Sequence, residues 1–315
     1  MSAKNFLFSN LKKILPSSLI GFFKKKKYSN PLDDYFNVLI NNVACIDIGA
    51  SYFEHIRWKL FLDSPGTLWI AVEPNAQNLK YQKSWFWKSQ LEVITKGVSD
   101  DGKLRDIHVT KVESGSSLLK PNYNNSNILR FQSLKNTHFP YEIKKFETVK
   151  LSEIIKKNFN KDIFIKLDIQ GSELSILREI KEYILNNKIL GVEVEASFLT
   201  STLYENSCKF YEILQFFDQL NYDLIYIEVI NFEKYEEHSI KSRRIPNEAN
   251  AVFIPKLDKI MQMENSKKIH LISFLSCYGL FEDIKIILDN DKNLVSQIKN
   301  QINYKDFYNK LKTLV

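Results

Sequence analysis

Short apolar runs alternate with helical stretches between residues 43 and 100, and this alternation constrains the fold more than any other feature of the sequence. The run "VACIDIG" predicts a strand, "YFEHIRWKLFLD" a helix, and "TLWIAVEP" a second strand that ends at Pro74. A helix over "NAQNLKYQKSWFWK" and a strand over "LEVITKGVSD" continue the pattern. Strands that alternate with helices in this order indicate a doubly wound, mostly parallel α/β sheet.

The same alternation returns in the second half of the chain. The runs "DIFIKLDIQG" and "ILGVEVEAS" predict strands, and "SELSILREIKEYILNN" and "NSCKFYEILQFFDQLNYD" predict the helices that follow them. The last two runs, "DLIYIEVI" and "NEANAVFIP", are joined by a linker that offers no helix. Because a parallel pair needs a long crossover connection, these two strands are predicted to be antiparallel. Between the halves, "KLRDIHVT" predicts an edge strand or hairpin, and "FETVKLSEIIKKNF" a strand and a short helix.

The sequence divides into three predicted regions. Residues 41–256 hold the sheet, and residues 257–315 change character and predict two or three helices as a C-terminal appendage. Residues 1–40 predict a basic amphipathic helix, since apolar residues at helical spacing precede Lys24–Lys27. Such a segment either packs on the sheet domain or lies on the anionic surface of a membrane.

Composition excludes several classes of protein. The formal charge is +7, but the lysines are scattered along the chain, so no nucleic-acid partner is predicted. The 3 cysteines and 5 histidines show no metal-ligand spacing, and no metal centre is predicted from them. The widely separated cysteines favour a reducing compartment. No apolar run reaches about 18 residues, so a cytoplasmic location is predicted, with association at the cytoplasmic face of a membrane as the alternative.

The turn after the first predicted strand has one glycine, Gly49, between Asp47 and the distant acid Glu73. A dinucleotide site normally uses the pattern G-x-G-x-x-G, because a pyrophosphate lies on the turn. S-adenosylmethionine has no phosphate and needs only a close backbone approach and a carboxylate for its ammonium group. The order of Asp47, Gly49 and Glu73 therefore favours S-adenosylmethionine, while a nicotinamide cofactor stays an alternative.

A series of short motifs resembles the FkbM-type methyltransferases over about residues 40–255. In chain order they are "CIDIGAS", "AVEPNAQNL", "GVSDDG", "SGSSL", "FETVKLSEII", "DIFIKLDIQGSELSIL", "VEVEAS" and "EANAVFIP". The segment from Lys166 to Leu177 is similar to that family's hallmark, K-I-D-V-E-G-A-E-x-x-V-L. Two positions differ: Gln170 replaces the hallmark's first acid, and Ser51-Tyr52-Phe53 follows the first turn where the family often has Asn and a further glycine.

The resemblance implies a seven-stranded class I methyltransferase sheet with Rossmann-like topology and an antiparallel last strand. It also implies S-adenosylmethionine as the cofactor and O-methylation of a hydroxyl group on a sugar, a glycan or a small metabolite. The cofactor-binding residues that it implies are Asp47, Gly49, Ala50 and Ser51 in the turn, Glu73 on the ribose, Pro74 and Asn75 on the adenosine side, Val98 and Ser99 near the adenine, and Ser116 and Ser117 in the pocket.

Catalysis is expected at Asp168, which ends a central predicted strand. Ligands bind outside the carboxyl ends of parallel strands, so Asp168 and Asp47 are predicted to share one cleft. Asp168 is expected to act as the base for the hydroxyl group, or as the ligand of a divalent metal that activates it. Glu173 is the second candidate, and Glu195 at the end of its strand is a further one.

Two alternatives to this function stay open. One is an NAD-dependent oxidoreductase on a related sheet. The other is a catalytically degenerate, methyltransferase-like domain that binds a partner, which Ser51-Tyr52 and Gln170 would suit. The sequence predicts neither the identity of the acceptor nor the oligomeric state.

Overall fold

A computed structural model of the chain describes residues 30–50, 56–75, 88–112, 115–125, 139–199, 201–232 and 245–315. Two predicted features lie outside these ranges, the basic segment up to residue 29 and most of the helix predicted after Asn75. The strands within the described ranges are β1 (Val43–Ile48), β2 (Thr67–Val72), β3 (Gln90–Ile94), β4 (Gly97–Val98), β5 (Arg105–Thr110), β6 (Pro140–Phe146), β7 (Thr148–Val149), β8 (Asp162–Leu167), β9 (Ile189–Ser197), β10 (Tyr222–Phe232) and β11 (Ile245–Pro255).

Seven of these strands form one sheet in the order β10-β11-β9-β8-β1-β2-β3. Strand β11 runs antiparallel to both of its neighbours, and the other pairs are parallel. The predicted doubly wound sheet is confirmed, including its seven strands and its antiparallel last strand. The order of the strands reverses beside β1, so the carboxyl ends of β1, β2 and β8 meet at the switch point where such sheets bind ligands.

Two small sheets flank the ligand-binding edge. The run "LEVITKGVSD" divides into β3, which joins the large sheet, and β4, which pairs with β7. The run "KLRDIHVT" forms β5, which pairs antiparallel with β6.

The helices of the described ranges cover both faces of the sheet. They are α1 (Asp33–Leu39), α2 (Lys59–Leu62), α3 (Leu151–Lys157), α4 (Glu173–Glu179), α5 (Lys181–Leu185), α6 (Phe210–Asp218), α7 (Leu257–Met261), α8 (Asn265–Cys277), α9 (Phe281–Asn290), α10 (Lys292–Lys299) and α11 (Tyr304–Leu314). Helices α3 to α6 pack on one face through Ile154, Leu177 and Phe217. Helices α1, α2 and α8 to α11 share a core with the other face.

The C-terminal helices pack directly on the sheet. Phe274 of α8 stacks on Phe164 of β8, with 4.5 Å between ring centroids. Gly191 of β9 leaves the space for this ring, since a Cβ atom there would lie 2.6 Å from it. Five helices occupy residues 257–314, more than the two or three predicted. The division of the chain into domains stays a prediction.

Candidate functional site

Three buried charges lie side by side across the middle of the sheet. Asp47 of β1 is in register with Lys166 of β8, which is in register with Glu193 of β9. Asp47 and Glu193 are each 1% exposed, and Lys166 is 7% exposed. Residues opposite one another on neighbouring strands point to the same face, so the lysine lies between two carboxylates.

The Asp47 carboxylate is buried without a hydrogen bond. Neither of its oxygens has a hydrogen-bond partner among the described residues, and the Lys166 ammonium lies 3.8 Å from Oδ1. Burial raises the pKa of Asp47 to about 6, against the attraction of Lys166. A buried carboxylate in this condition is costly, and it is suited to receive a cation from a ligand.

The turn after β1 is held against its two neighbouring strands. The backbone N–H groups of Gly49 and Ala50 both donate to the Val72 carbonyl of β2, at 3.0 and 3.2 Å. Gly49 has φ +80°, and a Cβ atom there would overlap the backbone carbonyl oxygen of Asp168. Glycine is therefore required by both conformation and space. The next predicted cofactor residue, Ser51, lies outside the described residues.

Glu73 lies at the carboxyl end of β2 and is 7% exposed. Its backbone N–H donates to Ile94 of β3, and its Oε1 accepts the backbone N–H of Asn75 at 2.9 Å. The carboxylate is thus oriented by the turn that contains Pro74.

A cleft opens at this edge of the sheet. It brings together Asp168 and six of the predicted cofactor residues. These residues are Gly49, Glu73, Pro74, Val98, Ser116 and Ser117. The cleft is also lined by residues that were not predicted, namely Ile48, Val72, Lys96, Gly97, Ile107, Leu118, Ile169 and Gln170.

Several predicted residues support the cleft without lining it. Ser99 bonds to Thr148 at 2.6 Å and accepts the N–H of Gly102, so its hydroxyl fixes the turn after β4. Asp47, Ala50 and Asn75 are not among the residues that line the cleft. The cofactor contacts of all these residues stay predictions.

The two serines of the cleft are bonded to its walls. Ser116 Oγ accepts the Thr110 N–H at 3.1 Å. Ser117 Oγ donates to the Gln170 carbonyl at 2.7 Å, which ties the segment after β5 to the turn after β8.

Asp168 faces the cleft and is held on both carboxylate oxygens. Lys166 Nζ lies 2.9 Å from Oδ2, and Gln170 Nε2 donates to Oδ1 at 3.3 Å. Its side chain is 30% exposed. Burial opposes ionisation of this carboxyl, but Lys166 and the surrounding hydrogen bonds outweigh burial and lower its pKa.

Glu173 is turned inward at the start of α4. It is 1% exposed and accepts the backbone N–H groups of Ile169 at 3.0 Å and Gly171 at 2.9 Å. Burial raises its pKa. These bonds stabilise the turn after β8, in which Gln170 has φ +58° and Gly171 φ +113°. A catalytic role for Glu173 stays a prediction.

The third charge of the row, Glu193, connects the sheet to the C-terminal helices. Its carboxylate accepts hydrogen bonds from Tyr278 at 2.6 Å, from Trp58 at 3.1 Å and from Arg57 at 3.2 Å. Glu193 therefore has its own donors and does not depend on Lys166 alone.

Sequence reasoning gave no role to Lys166, and it preferred Glu195 to Glu193 as a site residue. The available signal was a charged residue inside an otherwise apolar strand, since Lys and Glu are almost never fully buried unless they are paired.

The described residues also bear on metal binding and on membrane crossing. Within the described ranges, no three His, Cys, Asp or Glu side chains are grouped so that they could hold a metal ion. A divalent metal at Asp168 was expected as the alternative to a base, and the described residues provide no group of ligands for it there. In the same part of the chain, no helix combines the length and apolarity that crossing a membrane requires.

Comparisons with known proteins point to one family. The sequence matches the Methyltransferase FkbM domain over residues 44–224. No curated protein matches the chain.

Three solved structures are weakly similar to this chain. A precorrin-6y C5,15-methyltransferase from Geobacter metallireducens GS-15 is 11% identical, with 71% of this chain and 87% of that chain covered and a TM-score of 0.35. An uncharacterized protein from Listeria monocytogenes serotype 4b is 11% identical, with 91% and 97% covered and a TM-score of 0.34. TrmK of M. capricolum, in complex with S-adenosyl-homocysteine, is 15% identical, with 91% and 100% covered and a TM-score of 0.28. Likenesses this weak carry no argument about function.

Proposed function

Since this chain belongs to the FkbM methyltransferase family and is an S-adenosylmethionine-dependent methyltransferase, we propose that it methylates a hydroxyl oxygen of a sugar, a glycan or a small metabolite. The observation that carries the proposal is the Asp168 carboxylate, which faces the cleft from the end of β8 with a third of its surface exposed. A carboxylate in this place can orient a hydroxyl group and accept its proton.

The residues of the cleft, together with the buried Asp47 beside it, fit the cofactor. The orphaned Asp47 carboxylate suits the ammonium group of the methionine moiety. Glu73, at the end of the next strand, suits the ribose hydroxyls. Val98 and Ile107 offer apolar surface for the adenine.

The chemistry divides between cofactor and chain. S-adenosylmethionine supplies a methyl group on a positively charged sulfur. The chain supplies position, which is worth up to about 7–11 kcal/mol of the barrier in favourable cases, and a carboxylate for the proton. Lys166 fixes the direction of that carboxylate through its bond to Oδ2.

The proposal is tested by transfer of a tritium-labelled methyl group from S-adenosylmethionine to a panel of neutral methyl glycosides, amino sugars and polyols. We expect label in a methyl ether, which resists alkali as a methyl ester does not and is not retained on a cation exchanger at acidic pH as a methylated amine is. Label found only in an alkali-labile ester or in an amine would overturn the O-methylation proposal.

A binding experiment separates the cofactors. Calorimetric titration is expected to detect S-adenosylmethionine and S-adenosylhomocysteine but not NAD. Binding of NAD alone would favour the oxidoreductase alternative. We also propose that the acceptor is a small molecule or a glycan. The basic pattern of residues 1–40 supports contact of this segment with a membrane surface.

A further inference from the structure

A second pocket lies behind the cofactor cleft and shares a wall with it. It is lined by Glu195, Glu248, Tyr204 and neighbouring residues. Gln170 lines both cavities, whereas Asp168 lines the cleft and Glu195 the second pocket. The wall between the two cavities therefore contains a carboxyl group on each side.

One side chain bridges the two carboxyl groups in this wall. The Gln170 amide nitrogen Nε2 lies 2.8 Å from Glu195 Oε2 and 3.3 Å from Asp168 Oδ1. The two carboxyl groups also interact directly, and a proton on one of them stabilises so close a pair of acids. Because Lys166 holds Asp168 in its ionised form, this proton belongs to Glu195.

The groups around Glu195 favour its protonated form. Asp168 faces it from the end of β8, Glu248 from β11 and Glu173 from α4. Burial and these acids together raise the pKa of Glu195 well above its ordinary value. Tyr204 lies in the same pocket, and burial keeps its hydroxyl protonated by raising its pKa.

We propose that Glu195 is the residue on which the proton of the acceptor hydroxyl comes to rest, and that it receives this proton by way of Asp168. This inference rests on the proposed hydroxyl methylation. It adds a residue, Glu195, that lies outside the cofactor cleft.

The proton balance follows from the charge of the ligand. The hydroxyl oxygen gains a bond to the methyl carbon, and the C–S bond breaks with its electrons staying on sulfur. The O–H proton goes to the Asp168–Glu195 pair of carboxyl groups. A positively charged sulfur in the cleft favours loss of the proton from Glu195, because an opposite charge nearby stabilises the ionised form. When the sulfur becomes neutral, the pair recovers a proton, and that proton is the one the hydroxyl gives up.

The test needs no acceptor. S-adenosylmethionine and S-adenosylhomocysteine are titrated calorimetrically in buffers of different ionisation enthalpy, near neutral pH, and the protons released are counted. We expect S-adenosylmethionine to release between about a half and one proton more than S-adenosylhomocysteine. Both ligands carry the same ammonium group, so any contribution of Asp47 cancels in the difference.

Two matched variants assign the proton. Glu195→Gln keeps the shape of the side chain and should abolish the difference while both ligands still bind. Glu248→Gln, in the same pocket, should preserve it. The proposal is overturned if the two ligands release equal numbers of protons in the wild-type protein, or if Glu248→Gln rather than Glu195→Gln removes the difference.

A measurement on the ligand-free protein keeps the two proposals distinguishable. Carboxyl-labelled glutamate is observed by NMR across a pH titration, and the Glu195 signal is identified by its loss in Glu195→Gln. We expect this carboxyl to be protonated at mildly acidic pH, where an ordinary glutamate is ionised. An ionised Glu195 overturns the inference, whereas failure of both ligands to bind overturns the proposed function alone.

Discussion

Asp47 and Asp168 end neighbouring strands and share one lysine, yet their surroundings differ sharply. Neither oxygen of Asp47 has a hydrogen-bond partner within the described ranges, while Asp168 is bonded on both oxygens. The pKa of Asp47 is raised by burial, whereas that of Asp168 is lowered by Lys166 in spite of burial. The chain therefore completes the bonding of Asp168 but not that of Asp47. Under the proposed function, Asp47 would bind the cofactor and Asp168 would take part in the chemistry.

Replacing the shared lysine is expected to have the largest effect. Lys166→Met leaves two buried carboxylates without their cation, and breaking a buried pair typically costs about 3–5 kcal/mol. Denaturant unfolding near neutral pH measures the loss.

Two controls accompany this measurement. Lys285→Met removes the lysine of an exposed pair with Asp289 and should cost less than about 1 kcal/mol. Adding Asp47→Asn and Asp168→Asn to Lys166→Met should restore most of the stability. A Lys166→Met protein as stable as the wild type would show that neither carboxylate depends on the lysine.

Asp47→Asn is expected to weaken binding of S-adenosylmethionine by about 10- to 150-fold, the range for a hydrogen bond to a charged group. The ligand loses a buried carboxylate whose oxygens have no hydrogen-bond partner among the described residues. Titration calorimetry measures the change, with Asp106→Asn at an exposed ion pair as the matched control. An unchanged affinity would mean that S-adenosylmethionine does not interact with the Asp47 carboxylate.

The same residue predicts a pH dependence. The folded-state pKa of Asp47 is about 6, above its ordinary value of 3.8. Its contribution to stability is therefore fully present below about pH 4 and is lost as the pH rises through about 6. Cofactor binding should run the opposite way and weaken as the pH falls below about 6, because the carboxylate is then protonated. Dissociation constants measured across this range in wild-type and Asp47→Asn proteins should converge at the acidic end.

Glu73→Ala tests a second acid that, like Asp47, is proposed to bind the cofactor. Loss of the oriented carboxylate at the end of β2 should weaken S-adenosylmethionine about tenfold. Glu92→Ala, on the exposed strand β3, is the control and should change nothing. Equal binding by both variants would remove Glu73 from the site.

The sequence predicted the elements better than the bonds between them. Apolar periodicity is local, so it located the strands and placed Asp47, Gly49 and Glu73 at their ends. The placement of Lys166 between Asp47 and Glu193 depends on register between strands, and the bridge from Asp168 to Glu195 depends on the turn at Gln170. Neither is encoded in spacing along the chain. The stacking of Phe274 on Phe164 is equally non-local, and for that reason the C-terminal helices looked like an appendage.

Asp168→Asn is expected to have the smallest effect on cofactor binding. It therefore gives the clearest test of the difference between Asp168 and Asp47. The bonds of Asp168 come from the chain itself, so its loss takes no bond from the cofactor, and the affinity for S-adenosylmethionine should stay within about threefold, less than the strength of one hydrogen bond. Methyl transfer should fall by about 10²- to 10⁴-fold, the range for a positioned acid–base group. Titration calorimetry and labelled methyl transfer are measured on the same preparation. If Asp168→Asn lost affinity as strongly as Asp47→Asn, the two acids would not divide binding from chemistry, because both would then hold the ligand.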